Sequence, residues 1–376
     1  MKSIEACFRG VIMIFQWYLF VLMIGVSGVA HITGQVVYVK IYGKYEKRYS
    51  WFPVLVLIIP MIYLAATRIK LNFGDTSAYV KWFGEFPNSI LGLPLYLTNV
   101  QKDKGFAVFS TVIKSIIGNN VEVYFAVIAT ICLLAVAYGY KKMSCSFIFS
   151  MFLFVASGEY IQWGYNGIRQ FIPVALLFAA SELVVKKRYT EFILLILLLS
   201  TIHASALLML PMIFIVQGKA WNNRTVLFAI SAMVAIVCLD HFTGLITTIM
   251  ENTQYSNEVN QYLTTEGTNI LRVIVFAIPP VMSLIFRKYI EYANNPIVNL
   301  SVNMSIISLG IYIVSVFTSG IFIGRIPIYF SLYNYILIPW LVENCFEKRS
   351  AKIIYIFIIS AYLIFYYYQV SITWRL

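Results

Sequence analysis

Apolar runs recur along the chain near residues 11–30, 51–67, 121–140, 144–158, 168–185, 225–240, 269–286, 297–318, 322–345 and 352–370. Each approaches the roughly 20 residues that an α-helix needs to cross a hydrocarbon core. Between 190 and 217 the run is too long for one crossing and short for two, and Thr201, His203 and Ser205 interrupt it before Pro211. Polar, irregular backbone at that depth survives only inside protein or beside a wet cavity. The pattern therefore predicts two short or broken helices meeting near His203. It gives about ten to twelve spans in one all-α polytopic membrane unit, residues 1–376. Two polar stretches lie outside the runs. Residues 68–120 contain Gly74, Pro87, Gly92, Pro94 and an amphipathic segment, Phe106–Ile117, expected to lie along the membrane surface. Residues 241–268 contain no Lys or Arg and are rich in Thr, Asn, Gln and Tyr.

Composition confirms the class: 60% hydrophobic, 12% charged and a mean hydropathy of +0.80 exclude a soluble domain. The net charge of +12 invites a nucleic-acid reading, and its distribution removes it. Alternate loops hold Lys40, Lys44, Lys47, Arg48, Lys141, Lys142, Lys186, Lys187, Arg188, Lys219, Arg224, Arg287, Lys288, Lys348, Arg349 and Lys352. These sixteen of the 28 basic residues share their loops with only six of the 16 acidic ones, so this face is cytoplasmic. Both termini face out if there are twelve spans. Gly28 and Ala30 resemble a signal-cleavage site, but cleavage there would leave Lys40, Lys44, Lys47 and Arg48 outside, against the charge rule. Cys7, Cys132, Cys145, Cys238 and Cys345 lie in or beside apolar runs without paired spacing, which argues against disulfides and a zinc site.

The opposite face mostly offers arginine. Arg68, Arg169, Arg272 and Arg325 sit where the chain leaves the membrane on the side poor in other cations. Snorkelling to headgroups accounts for a single such residue; four suggest an anionic ligand, because guanidinium clamps phosphate bidentately. Gly74, Asp75 and Tyr79 follow Arg68, and Asp75 suits a base toward a sugar hydroxyl, an ion-pair partner or a helix cap. The segment from Gly158 to Gln170 puts Asn166, Arg169 and Gln170 on one face, with glycines that let a ligand approach the backbone. Its Tyr160, Trp163 and Tyr165 suit sugar stacking or a headgroup belt. His203 fits a core residue, a proton carrier or an anion ligand. Arg272 follows Asn269, and Arg325 stands in Gly324-Arg325-Ile326-Pro327. There is no P-loop, GxGxxG, HExxH, GxSxG, zinc pattern or DxD pair, so no nucleotide or metal cofactor is expected.

Arg68 closing the second span, then Gly74-Asp75 and Tyr79, Asn166-x-x-Arg169-Gln170, His203-x-Ser205 and Gly324-Arg325 together resemble the EpsG family, which groups with Wzy-type polymerases of O-antigen and exopolysaccharide repeat units. The likeness covers nearly the whole span pattern. One departure is that the family usually sets a residue between the Gly and the Asp, closer to the Arg. The resemblance implies a metal-independent glycosyltransferase of the broad GT-C type in the bacterial inner membrane, with its active site facing the periplasm or exterior. It implies undecaprenyl-pyrophosphate-linked oligosaccharide as substrate, with a chain-length regulator and a flippase as partners. On that reading His203, Asp75, Arg169 and Arg325 carry the chemistry, with His203 or Asp75 as the base. Arg68, Arg169, Arg272 and Arg325 bind the pyrophosphate, and Tyr79, Tyr160, Trp163, Tyr165, Asn166 and Gln170 hold glycan. The alternatives are a lipid-linked oligosaccharide flippase, whose cations should line a central cavity, and a membrane O-acyltransferase, whose basic and His residues should lie toward the cytoplasm. A structural subunit would need no outward arginines.

Overall fold

A computed structural model describes residues 2–41, 44–68, 74–251, 259 and 265–373. The chain is an all-α polytopic membrane protein. The helices are α1 Lys2–Ile32, α2 Trp51–Ala66, α3 Thr76–Glu85, α4 Leu93–Asn99, α5 Lys104–Ile117, α6 Val121–Met143, α7 Phe147–Ala156, α8 Ile168–Ala179 and α9 Ser181–Val185. They continue as α10 Tyr189–Ser200, α11 Met209–Val216, α12 Asn223–Val237, α13 Leu239–Glu251, α14 Ile270–Ile285, α15 Arg287–Ala293, α16 Pro296–Val316, α17 Asn334–Cys345 and α18 Lys348–Tyr368, with shorter turns between them. Among the described residues three helices are long and apolar enough to cross a membrane alone: α6, α16 and α18 with its continuation to Ile372. Two bent pairs, α12 with α13 and α14 with α15, add to these, and seven shorter apolar helices accompany them. The chain departs from pure helix at one hairpin, β1 Val36–Ile41 paired antiparallel with β2 Lys44–Tyr49, where the sequence suggested only a basic loop. Its Val-Val-Tyr-Val run has the β-branched and aromatic composition of a strand, a signal that the Lys-rich character obscured.

Although the sequence offers no linker, the helices cluster into two compact units. The first comprises Met1–Ser181, Leu197–Ala206 and Phe346–Leu376; the second comprises Glu182–Ile196 and Leu207–Cys345. In the first, α6 packs against α2 and α8, α1 lies on α2, and α18 lies on α7. In the second, α16 is the hub for α12, α14 and α17. It is buried almost all round, and its Ser301, Ser305 and Ser315 return their hydroxyls to the helix's own carbonyls. That device lets a polar sequence occupy an apolar core.

Of residues 68–120, read as a loop, the part from Gly74 onward contains α3, α4 and α5, and 69–73 lie outside the described residues. One face of the amphipathic stretch packs within the protein: Phe106, Ile113 and Lys114 of α5 are buried. Lys114, only 2% exposed, donates its ammonium to Phe83 O at 2.8 Å, Gly84 O at 2.9 Å and Phe86 O at 2.6 Å. These are the last carbonyls of α3 and its exit, groups a helix cannot satisfy internally and toward which its dipole draws a cation. The expected break near His203 is present: α10 ends at Ser200, a 3-10 turn covers Ala204–Leu208, and α11 begins at Met209. Of the polar stretch 241–268, the first part belongs to α13, and residues 252–258 and 260–264 lie outside the described ones.

Candidate functional site

The first unit brings Arg68, Asp75, Tyr79, the 158–170 segment and His203 into one body. Gly74 fixes how α3 begins. Its φ is +47°, and a β-carbon there would lie 1.7 Å from Asn166 Oδ1. The space admits Asn166, whose Oδ1 accepts the Asp75 N–H at 3.0 Å, while Thr76 Oγ1 donates to Tyr165 O at 3.3 Å. Asp75 occupies the N-cap position of α3 without a side-chain cap bond, so it is half-buried at the start of a helix docked on Asn166. Tyr79 is buried one turn on, edge-on to Trp82 at 5.3 Å.

Arg68 is 4% exposed, which differs from the open phosphate ligand expected of it. Its Nη1 donates to Gly164 O at 2.6 Å, and its guanidinium stands 3.6 Å from the centroid of Phe125. Burial lowers its pKa to about 10, so it remains a cation at neutral pH. A carbonyl of the 158–170 segment thus receives a protein guanidinium. Tyr160, Trp163, Tyr165, Asn166 and Gln170 are all buried, and Tyr160 spends its hydroxyl on Met61 O at 2.5 Å. These aromatics form packing and offer no open stacking surface. The half-buried ring beside an arginine is Trp82, 5.1 Å from the Arg169 guanidinium, a residue sequence reading did not single out. Its i, i+3 spacing from Tyr79 was the available signal.

The strongest link in the unit centres on Asp103, also missed. Asp103 precedes α5 with a left-handed φ of 55° and is 8% exposed. Its Oδ2 lies 3.1 Å from Arg169 Nη1, and its Oδ1 accepts the Ala204 N–H at 3.3 Å. Gly105 N–H donates to Thr201 O at 2.8 Å. A β-carbon on Gly105 would stand 2.2 Å from Thr201 Oγ1 and 2.7 Å from the Thr201 carbonyl carbon, so only glycine permits this approach. The start of α5 therefore clamps the broken turn that carries His203 and ties it to Arg169. Within that turn His203 Nδ1 lies 2.7 Å from Ser205 Oγ and 3.3 Å from Ser205 N. A lone pair on Nδ1 suits the backbone N–H and puts the proton on Nε2; the shorter hydroxyl contact admits either tautomer.

Arg272 and Arg325 lie in the second unit. Arg272 Nε donates to Tyr312 Oη at 3.2 Å and stands over Phe276 at 5.2 Å. Arg325 is half-buried in the turn Ile323–Arg325. Thr268 joins their surroundings: its N–H donates to Ser315 O at 2.9 Å, and its Oγ1 would lie 2.4 Å from a β-carbon on Gly324. Both arginines thus belong to the same end of this unit.

The model of the EpsG family matches residues 51–373, most of the chain. The chain belongs to the EpsG family. This is a Wzy-type polymerase-like family, and membership points to an exopolysaccharide or O-antigen polymerase-like, glycosyltransferase-like role. No curated protein and no solved structure matches the chain. Among the described residues of this EpsG-family chain, no three His, Cys, Asp or Glu side chains converge as metal ligands would. A different group does recur. Arg68 Nε, Trp163 Nε1, Asn166 Nδ2 and Arg169 Nε are buried with no hydrogen-bond partner among the described residues. All four are N–H donors, so the chemistry that would satisfy them is an acceptor, best an anionic oxygen.

Proposed function

We propose that this chain polymerises lipid-linked oligosaccharide repeat units on the outer face of the cytoplasmic membrane, with an undecaprenyl-pyrophosphate-linked glycan as donor. The observation that carries the reading is the set of orphaned donors on Arg68, Asn166 and Arg169. The acceptor's hydroxyl oxygen bonds to the donor's anomeric carbon as the bond from that carbon to the pyrophosphate oxygen breaks. The electron pair leaves with the pyrophosphate, whose growing negative charge Arg169 stabilises from its fixed position. Arg68 acts as a positioning residue, holding Gly164 and through it the entry to α8. Trp82, beside Arg169, offers a face for a sugar ring.

His203 takes the hydroxyl proton. Asp75 is the second choice. Asp103 touches no reactant. It holds Arg169 and the His203 turn in one register. The test is the surface glycan of a strain lacking the gene. Single capped repeats without polymer support the reading. Complete loss of repeats from the surface assigns the chain to transport across the bilayer and overturns it.

A further inference from the structure

The face that carries the basic loops holds a cavity of about 300 Å³ that the polymerase reading leaves unused. It lies wholly within the second unit, between the start of α10, the connection from α11 to α12, and the start of α16. Lys187, Lys219, Gln217, Asn294 and Asn299 supply its polar lining. Three other cations of this face are matched with carboxylates. Lys186 meets Glu182 at 2.7 Å, Arg287 meets Glu291 at 2.7 Å, and Arg188 pairs with Glu191. Neither Lys187 nor Lys219 has a carboxylate partner among the described residues, so both bring an unpaired charge to the cavity.

Its walls are built rather than loose. Asn303, fully buried, donates to Val216 O and Lys219 O at 3.0 Å each and accepts the Trp221 N–H at 3.0 Å, which pins the loop that presents Lys219. Asn299, 5% exposed, donates to Asn294 Oδ1 at 3.1 Å. The 21-residue α16 opens onto the cavity by its N-terminus, where the helix dipole adds positive potential. The positive-inside rule turns this face to the cytoplasm and puts the ends of its apolar helices at headgroup level.

We propose that this cavity binds the phosphodiester headgroup of an anionic phospholipid of the cytoplasmic leaflet, with Lys187 and Lys219 flanking the phosphate and the asparagines contacting the polar headgroup. Basic pockets at helix ends on this side of a membrane suit such headgroups. The site is independent of the polymerase reading.

The test uses the full chain purified in a neutral detergent, offered phosphatidylglycerol or phosphatidylcholine, with bound lipid read by native mass spectrometry. Phosphatidylglycerol is expected to be retained over phosphatidylcholine. Lys187→Gln and Lys219→Gln should each weaken retention about fivefold and together roughly thirtyfold, the factors that about 1 kcal/mol per basic residue near anionic lipid gives. Lys186→Gln, outside the cavity and paired with Glu182, should leave retention unchanged. Equal loss from Lys186→Gln would reduce the effect to diffuse surface charge and overturn the site. Displacement of the lipid by millimolar glycerol phosphate would show a soluble phosphate ester to be the occupant and overturn the lipid assignment. Retention of both lipids alike would do the same.

Discussion

The two arginine-bearing regions solve opposite problems. In the first unit Arg68 and Arg169 are held by the protein before any substrate arrives, one by a backbone carbonyl and an aromatic face, the other by a buried carboxylate. In the second unit Arg272 leans on a neutral tyrosine hydroxyl, and Arg325 sits half-buried in a short turn. A guanidinium fixed by a buried carboxylate costs no reorganisation when charge develops beside it, which is what transition-state stabilisation needs. On the proposed function, this preorganisation suits the first region to geometry and catalysis, and the second region is proposed to bind an anion.

The largest effect should come from Asp103. Asp103→Asn leaves Arg169 without its countercharge and weakens the tie to Ala204; breaking a buried pair typically costs about 3–5 kcal/mol. Polymer formation should fall beyond the level of Arg169→Ala, with the thermal midpoint of the purified protein lowered as well. If Asp103 acts through Arg169, the double variant should be no worse than Asp103→Asn alone, a coupling that a double-mutant cycle measures. Next in size, Arg169→Ala should reduce activity roughly a hundredfold, about 2–4 kcal/mol of lost stabilisation. Arg169→Lys should restore little, because one ammonium cannot serve Asp103 and a phosphate together. Arg325→Ala and Arg272→Ala should act more on donor KM than on kcat if the second region captures. An equal fall in kcat from all three would erase the distinction between the regions.

Smaller still, Lys114→Met should lower stability by about 1–3 kcal/mol, the cost of buried carbonyls left unsatisfied, while activity per folded molecule persists. A loss of activity at unchanged stability would place Lys114 in the site instead.

How much of this could be read beforehand follows from range. The all-α polytopic class, the break at His203 and the family were legible because hydropathy and short motifs are local signals; the expected ten to twelve spans were not, since among the described residues three helices, or up to five with each bent pair taken as one, are long and apolar enough to cross. Lys114 was readable too, since it falls on the apolar face of an amphipathic stretch, four residues after Ser110. Asp103 was not. It sits in Lys102-Asp103-Lys104, which looks like a solvated turn, and its partner is Arg169. Nothing local marks a carboxylate that becomes buried only when α5 docks on the 201–206 turn. The aromatics of the 158–170 segment misled for the reverse reason: spacing places them near the arginines, but only packing reveals that their faces are covered.

The most direct test of the account is reconstitution of the purified chain in liposomes with a pyrophosphate-linked repeat unit on the face that exposes Arg169. Neither nucleotide sugar nor energy source is supplied. The account requires a ladder of lengthening products with one lipid pyrophosphate released per bond, collapsing in Arg169→Ala and Asp103→Asn. Repeat units that cross the bilayer without lengthening would contradict it.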